Sequence, residues 1–403
     1  MPPPVVDLPA AAGTRHSGSE EGRMADDPVA NRESPFDPWV RLARAVRAAT
    51  DAKKLLLAAL GLILMHAGWA GLDALLPGAA EASPPADMAL PPSPFGSWLG
   101  PLGAAVDAAA RAAEPARAIA APWVALLTPG RGAAWSLHAA LAALWAVLVW
   151  GPLGGAIARI AVAQAATEGR IGLGTALRYA AAKAPHLIGA PLSPFIGVGF
   201  FAGLCALLGL LYRIPGPVGA TIAGILAFLP LMAGLVMALI LLGLAVGWPL
   251  MIATIAAEGE DTFDALSRSY SYVYQRPARF AAYAALAWVL GALGLLVVGV
   301  FARAILALAA WGLSLGAPGA RLLDLWQPRF VPLGRTAPAI AHAAWLDLVV
   351  LLARGWAYSY FWTAAAHIYL LLRHDVDGTP WHDLPTHGTP PGLGEVPGTA
   401  PGA

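Results

Sequence analysis

Charge is scarce in this chain. Asp, Glu, Lys and Arg make up 12% of its 403 residues, about half of the ~25% that soluble domains carry. A water-soluble globule of this size needs charge across its surface to stay dispersed, so the composition excludes one. Cysteine is scarcer still. A lone Cys205 rules out an intrachain disulfide, and no Cys/His spacing points to zinc or an iron–sulfur cluster. It reads as a small apolar side chain in a hydrophobic run. A dominant sign of charge is missing too. The 25 Lys and Arg against 24 Asp and Glu leave a net +1, which gives no field for nucleic acid. There is no Walker loop, Rossmann glycine pattern, His-Glu-x-x-His or Gly-x-Ser-x-Gly. No catalytic residue, cofactor or metal is assigned on this basis, and the chain is read as not an enzyme.

What the sequence does hold is apolar length. Hydrophobic residues are 58% of the chain and the mean hydropathy is +0.64. About 20 apolar residues cross a bilayer core of roughly 30 Å. Six segments meet that length, at about 55–76, 134–156, 187–212, 217–247, 280–302 and 350–372. The expected fold is all-α, a polytopic integral membrane helix bundle of about six transmembrane helices. Segment 117–127 is apolar but too short, and broken by Pro122.

The flanks of this domain, 39–375, look different. Residues 1–38 and 376–403 are rich in Pro, Gly and polar residues without an apolar period, and are expected to be disordered tails. No basic n-region and apolar h-region of a secretory signal opens the chain, and Met24 offers a second start. Arg41, Arg44, Arg47, Lys53 and Lys54 precede the first span. Arg159, Arg170, Arg178 and Lys183 lie between the second and third, and Arg268, Arg276 and Arg279 between the fourth and fifth. The opposite loops hold fewer basic residues, so both termini are expected to be cytoplasmic. The long opposite loops, about 77–133 and 303–349, carry Trp98, Trp123, Trp311 and Trp326 among prolines. Short helices lying on a leaflet surface suit them.

Two of the basic-side loops echo each other. Glu168-Gly169 is followed by Ala176-Leu177 and Pro185, and Glu258-Gly259 by Ala265-Leu266 and Pro277. The second loop is the richer. Asp261 suits a helix N-cap and Asp264 the positive end of the helix dipole. Phe263, Leu266, Tyr270 and Tyr274 fall at helical spacing on one face. Asp264 and Arg268, four apart, suit an exposed ion pair. Pro277 ends the helix. The loop is therefore expected to form an amphipathic interfacial helix. Glu168 and Glu258 sit where spans leave the membrane, where an acid needs a partner; Arg159, Arg276 and Arg279 are available.

Charges within or beside the spans are few. Asp73, Arg303, Asp347 and Arg354 fall near the ends opposite the termini, where snorkelling or local pairing accounts for them. His66 and His367 lie deeper and are expected to bond backbone carbonyls. His374, Asp375 and Asp377 resemble a metal set superficially, but suit a solvated helix end.

The stretches Glu258–Pro277, Tyr358–Trp362 and Tyr369–Gly378 resemble a family of uncharacterised bacterial polytopic inner-membrane proteins. The order of span, Glu-Gly, amphipathic helix and span is also similar in outline to the membrane domain associated with glycerophosphodiester phosphodiesterases. The resemblance implies a bacterial cytoplasmic (inner) membrane location; it implies no particular catalytic residue and leaves function open. The function expected is binding of lipid or of a protein partner through the cytoplasmic interfacial helices, with Glu168, Glu258, Asp261, Asp264, Arg268, Tyr270 and Arg276 as candidate interaction residues. The alternative is a transporter or permease component with a polar cavity lined by the second to fifth spans.

Overall fold

The computed structural model describes residues 37–77, 108–128, 131–166, 169, 171–316 and 337–380. Among them there is no strand, and nearly all are helical. In chain order the helices are α1 (Asp37–Ala48), α2 (Ala52–Leu75), α3 (Glu114–Leu126), α4 (Ala133–Ala166), α5 (Leu173–Ala182), α6 (Ala184–Gly209), α7 (Pro217–Ile225), α8 (Phe228–Glu258), α9 (Thr262–Gln275), α10 (Pro277–Ser314) and α11 (Ala337–Asp377). Five of them, α2, α4, α6, α8 and α10, are long and apolar enough to cross a membrane. The chain is an all-α, multi-pass membrane protein. Of the expected tails 1–38 and 376–403, residues 1–36 and 381–403 lie outside the described residues, as do Trp98, Trp326 and Glu168, while Asp37, Pro38, Val376 and Asp377 are helical rather than tail.

Two expected spans come out differently. The fourth, drawn as 217–247, is two helices: α7 stops at Ile225, and α8 starts at Phe228 and continues to Glu258. The sixth, drawn as 350–372, is the interior of the 41-residue α11, which is less apolar on average than α2, α4, α6, α8 and α10. The reason is its place. It packs against α2, α4, α8 and α10, and no residue from Ala353 to Val376 is exposed. A helix surrounded by protein has no need of a lipid-compatible surface.

Glycines make room for the large rings of α11. A Cβ at Gly154 would stand 2.5 Å from Trp362, one at Gly291 2.7 Å from Tyr360, and one at Gly294 2.1 Å from Trp356. Gly61 similarly receives Trp150, whose ring stacks on Tyr358 at 4.6 Å. Small residues that let large neighbours approach are how membrane helices pack without a hydrophobic drive between them.

Two shorter helices also depart from expectation. The basic stretch before α2 is itself helical, with Leu42, Ala45 and Ala49 fully buried; Arg41, Arg44 and Arg47 share that segment. Helix α3, which contains the 117–127 segment, is seated in the bundle rather than on a leaflet surface. Its Pro115, Ile119 and Pro122 are buried, its Trp123 stacks on Phe195 at 3.7 Å, and its Glu114 pairs with Arg354.

The in-span polar groups behave as their sequence positions suggest. His66 Nδ1 and His367 Nδ1 donate to the carbonyls of Leu62 and Thr363 at 2.7 and 2.8 Å. Asp73 meets His138 at 2.9 Å.

Candidate functional site

Helix α8 ends where it does because Gly259 adopts a left-handed conformation, φ 73°, which glycine reaches without the clash of a Cβ. The Gly259 N–H donates to the Ile255 carbonyl at 2.9 Å. Side chains serve the neighbouring carbonyls. Arg159 donates to Ala256 and Ala257 at 2.9 and 3.3 Å, the Tyr179 hydroxyl to Ile255 and Lys183 to Gly259. Two cations thus stand at the negative end of the α8 dipole. Burial pushes the Tyr179 hydroxyl up to about 12, against the opposing pull of Arg159, so it stays a donor at physiological pH.

Glu258 is 3% exposed and ties three helices together. One carboxylate oxygen accepts from Arg268 of α9. The other accepts from the Tyr369 hydroxyl and lies 3.2 Å from Arg373 Nε, both on α11. A second Arg268 nitrogen reaches Glu260 at 3.0 Å. The partners are therefore not those proposed from sequence. Arg159 is spent on carbonyls, and Arg279 pairs with Asp375. Arg276 is exposed at the α9–α10 junction. Arg268 reaches Glu258 because α9 folds back along α8, with the Tyr270 hydroxyl on the Ile240 carbonyl at 3.1 Å and the Thr254 and Ser269 hydroxyls 3.3 Å apart. With both oxygens occupied by donors, Glu258 tethers α8 to α9 and α11.

Helix α9 has two faces. Ala265, Ser269, Tyr272 and Val273 are buried against the bundle. Tyr270 is half-buried, its ring against Gly243 of α8, and burial lifts its hydroxyl to about 12. Phe263 and Tyr274 stand 71% and 53% exposed. The apolar stripe drawn from sequence is thus divided: Leu266 and Tyr270 pack against the core, its ends Phe263 and Tyr274 face outward, and small or hydroxylated residues make much of the remaining inner contact. Asp261 is the N-cap, its carboxylate accepting from the N–H groups of Phe263 and Asp264 at 2.8 and 3.0 Å. The Asp264 and Phe263 amides hold its carboxyl below the ordinary aspartate value. Asp264 is exposed, and Arg268 turns from it toward Glu258 and Glu260, so the expected Asp264–Arg268 pair gives way to a better-buried partner.

The chain matches no family model, no curated protein and no solved structure. The site must be read from its own geometry.

A second polar cluster escaped the sequence reading. Lys54, taken there as a flanking cation, is fully buried and donates to Gln164 at 2.9 Å and Thr363 at 3.2 Å. Gln164 in turn donates to Asp51 at 2.6 Å. The neighbouring Lys53 reaches the Ile171 carbonyl at 2.8 Å. Adjacent lysines on a helix point about 100° apart, so one faces the rim and the other the helix contact. No local signal separates them.

The superficially metal-like end of α11 is dispersed. Asp375 accepts from Tyr283 at 2.8 Å and pairs with Arg279, Asp377 accepts from Tyr272, and His374 Nδ1 donates to the Thr379 carbonyl at 3.1 Å. Among the described residues no group of three or more His, Cys, Asp and Glu side chains is placed to hold a metal.

The two echoing loops have matching architecture: α4–α5–α6 and α8–α9–α10 each run long, short, long, and the third helix of each has proline in its first turn. The matched alanines, Ala176 and Ala265, are both fully buried.

Proposed function

We propose that this is a non-enzymatic multi-pass protein of a bacterial inner membrane, with both termini cytoplasmic, that binds lipid or a protein partner through α9. The observation that carries the reading is the division of α9. One face is fixed to the bundle by Glu258, Ser269 and Tyr272, while Phe263 and Tyr274 project outward, with exposed Arg276 at the end of the helix. Aromatic and Arg side chains on a rigid support are the groups from which binding hot spots are built. Within the original candidate set the roles divide. Glu258, Asp261 and Arg268 hold the helix in place, and Tyr270 seats it on α8. Asp264 and Arg276 remain at the surface.

A photo-crosslinking side chain placed at Phe263 or Tyr274 of the full chain in native membranes tests this. The expected result is a discrete adduct at both positions that Arg276→Glu weakens, with none at the lipid-facing Val297. Equal labelling at all three sites overturns the reading. Transport ranks second, because it requires a polar passage among the second to fifth spans, and the cavity between α4, α6 and α8 has an apolar wall.

A further inference from the structure

That cavity has a volume of ≈ 420 Å³, within the ~300–1,000 Å³ of sites that hold small ligands. Helix α3 covers it, and α4, α6 and α8 wall it. Trp123, Trp150, Phe195, Trp248 and Trp362 line it among aliphatic side chains. It is distinct from the exposed face of α9, since none of Phe263, Tyr274 and Arg276 contributes to it.

Three observations say what would occupy it. Val124 and Leu127, which line it from α3, are 64% and 47% exposed. The cavity is thereby continuous with the apolar outer surface that, in a multi-pass protein, faces the bilayer. Lipid is the apolar species present at that opening. Arg117, also on α3, lines it as an exposed cation and commits one N–H to the Ala110 carbonyl at 2.9 Å. A guanidinium beside an apolar opening suits a phosphate. Finally, the indole N–H groups of Trp150 and Trp362 are buried with no partner, although buried donors are usually satisfied. A bound molecule bringing oxygen acceptors alongside its hydrocarbon would relieve them. Hydrocarbon, acceptor oxygens and an anionic group occur together in an acyl glycerophosphate.

We infer that the cavity under α3 binds one anionic glycerophospholipid from the bilayer, with its ester oxygens and adjoining acyl chain among the tryptophans and its phosphate at Arg117. The full chain is reconstituted in vesicles of phosphatidylcholine and phosphatidylglycerol containing a phosphatidylglycerol with a diazirine in its acyl chain. After photolysis the labelled peptides are mapped by mass spectrometry. Label should concentrate on the α3, α6 and α8 segments around Trp123, Phe195 and Trp248. It should fall roughly tenfold in Arg117→Glu, as loss of a charge-assisted contact predicts, and return in Arg117→Lys. Ala120→Trp, which fills the cavity from α3, should also remove it. Excess unlabelled phosphatidylglycerol should compete, whereas free oleate should not. Because Arg117 is exposed, its replacement leaves the helix packing intact, so a folding defect in Ala120→Trp does not block the test. Label spread equally over Val297 and Phe301, label unchanged in Arg117→Glu, or competition by oleate overturns the inference.

Discussion

Helices α10 and α11 lie side by side, antiparallel, and are made on opposite terms. Helix α10 meets the length and apolarity of a span and leaves Leu293, Val297, Phe301 and Leu308 more than half exposed. Helix α11 is less apolar on average and has no exposed residue along its inner two dozen positions, with buried Ser359, Thr363, His367 and Arg373 among them. Among the long helices, the one packed at the centre of the bundle is the least apolar on average. In α11, composition is given to hydrogen bonds and rings: Ser359 donates to the Ala49 carbonyl at 2.8 Å and Tyr360 to the Ala287 carbonyl at 2.7 Å.

The largest expected effect comes from removing the anchor of α11. Glu258→Ala leaves Arg268, Arg373 and Tyr369 around a missing buried anion and should cost about 3–5 kcal/mol. A lowered unfolding midpoint in detergent would reveal it, and Glu258→Gln, which keeps the acceptor, should cost less. The next effect contrasts two glycines of α10. Gly294→Ala drives a methyl into Trp356 of α11 and should cost about 1–3 kcal/mol. Gly299→Ala meets nothing nearer than Arg303 at 3.7 Å and should gain roughly 0.5–1 kcal/mol from the lost flexibility of glycine. If both destabilise alike, the contrast between a protein-facing and an open side of α10 fails.

The smallest effect is at the α9 cap. Asp261 has a lowered carboxyl pKa in the folded chain, so its stabilisation is present above the ordinary aspartate value and is lost as pH falls through the folded one. Asp261→Asn keeps a capping oxygen but removes the charge. Its unfolding midpoint should lie slightly below that of the parent at neutral pH and converge with it in acid. A constant gap across pH would assign the difference to geometry instead.

The local features were legible. Asp261 as cap, Pro277 as the break and the apolar lengths of five spans all depend on residues close together in sequence. The long-range ones were not. Arg373 meets Glu258 from a distant helix, and the sequence places no constraint on which of several basic residues at that end gets there. Lys54 and Lys53 look identical in sequence, and only the position of Gln164 and Thr363 separates a buried lysine from a rim one. The exposure of Phe263 also ran against the helical pattern. The periodicity placed Leu266 and Tyr270 against the core but could not say that Ala265 and Ser269, small enough for close approach, would turn the contact so that Phe263 and Tyr274 face outward.

The glycine sockets have a consequence for how the chain is assembled. Helix α11 follows all the helices that receive it, so Gly154 and Gly294 stand open, and Lys54 and Glu258 lack their α11 partners, until the ribosome has moved well past them. The five apolar helices can enter lipid individually, whereas α11 gains its place chiefly by docking against protein already there. A chain halted before Gly355 would hold Lys54 and Glu258 without those contacts, and buried polar groups lacking partners are costly. Completion of α11 is thus the step at which Glu258, Lys54 and the glycine sockets meet their α11 partners.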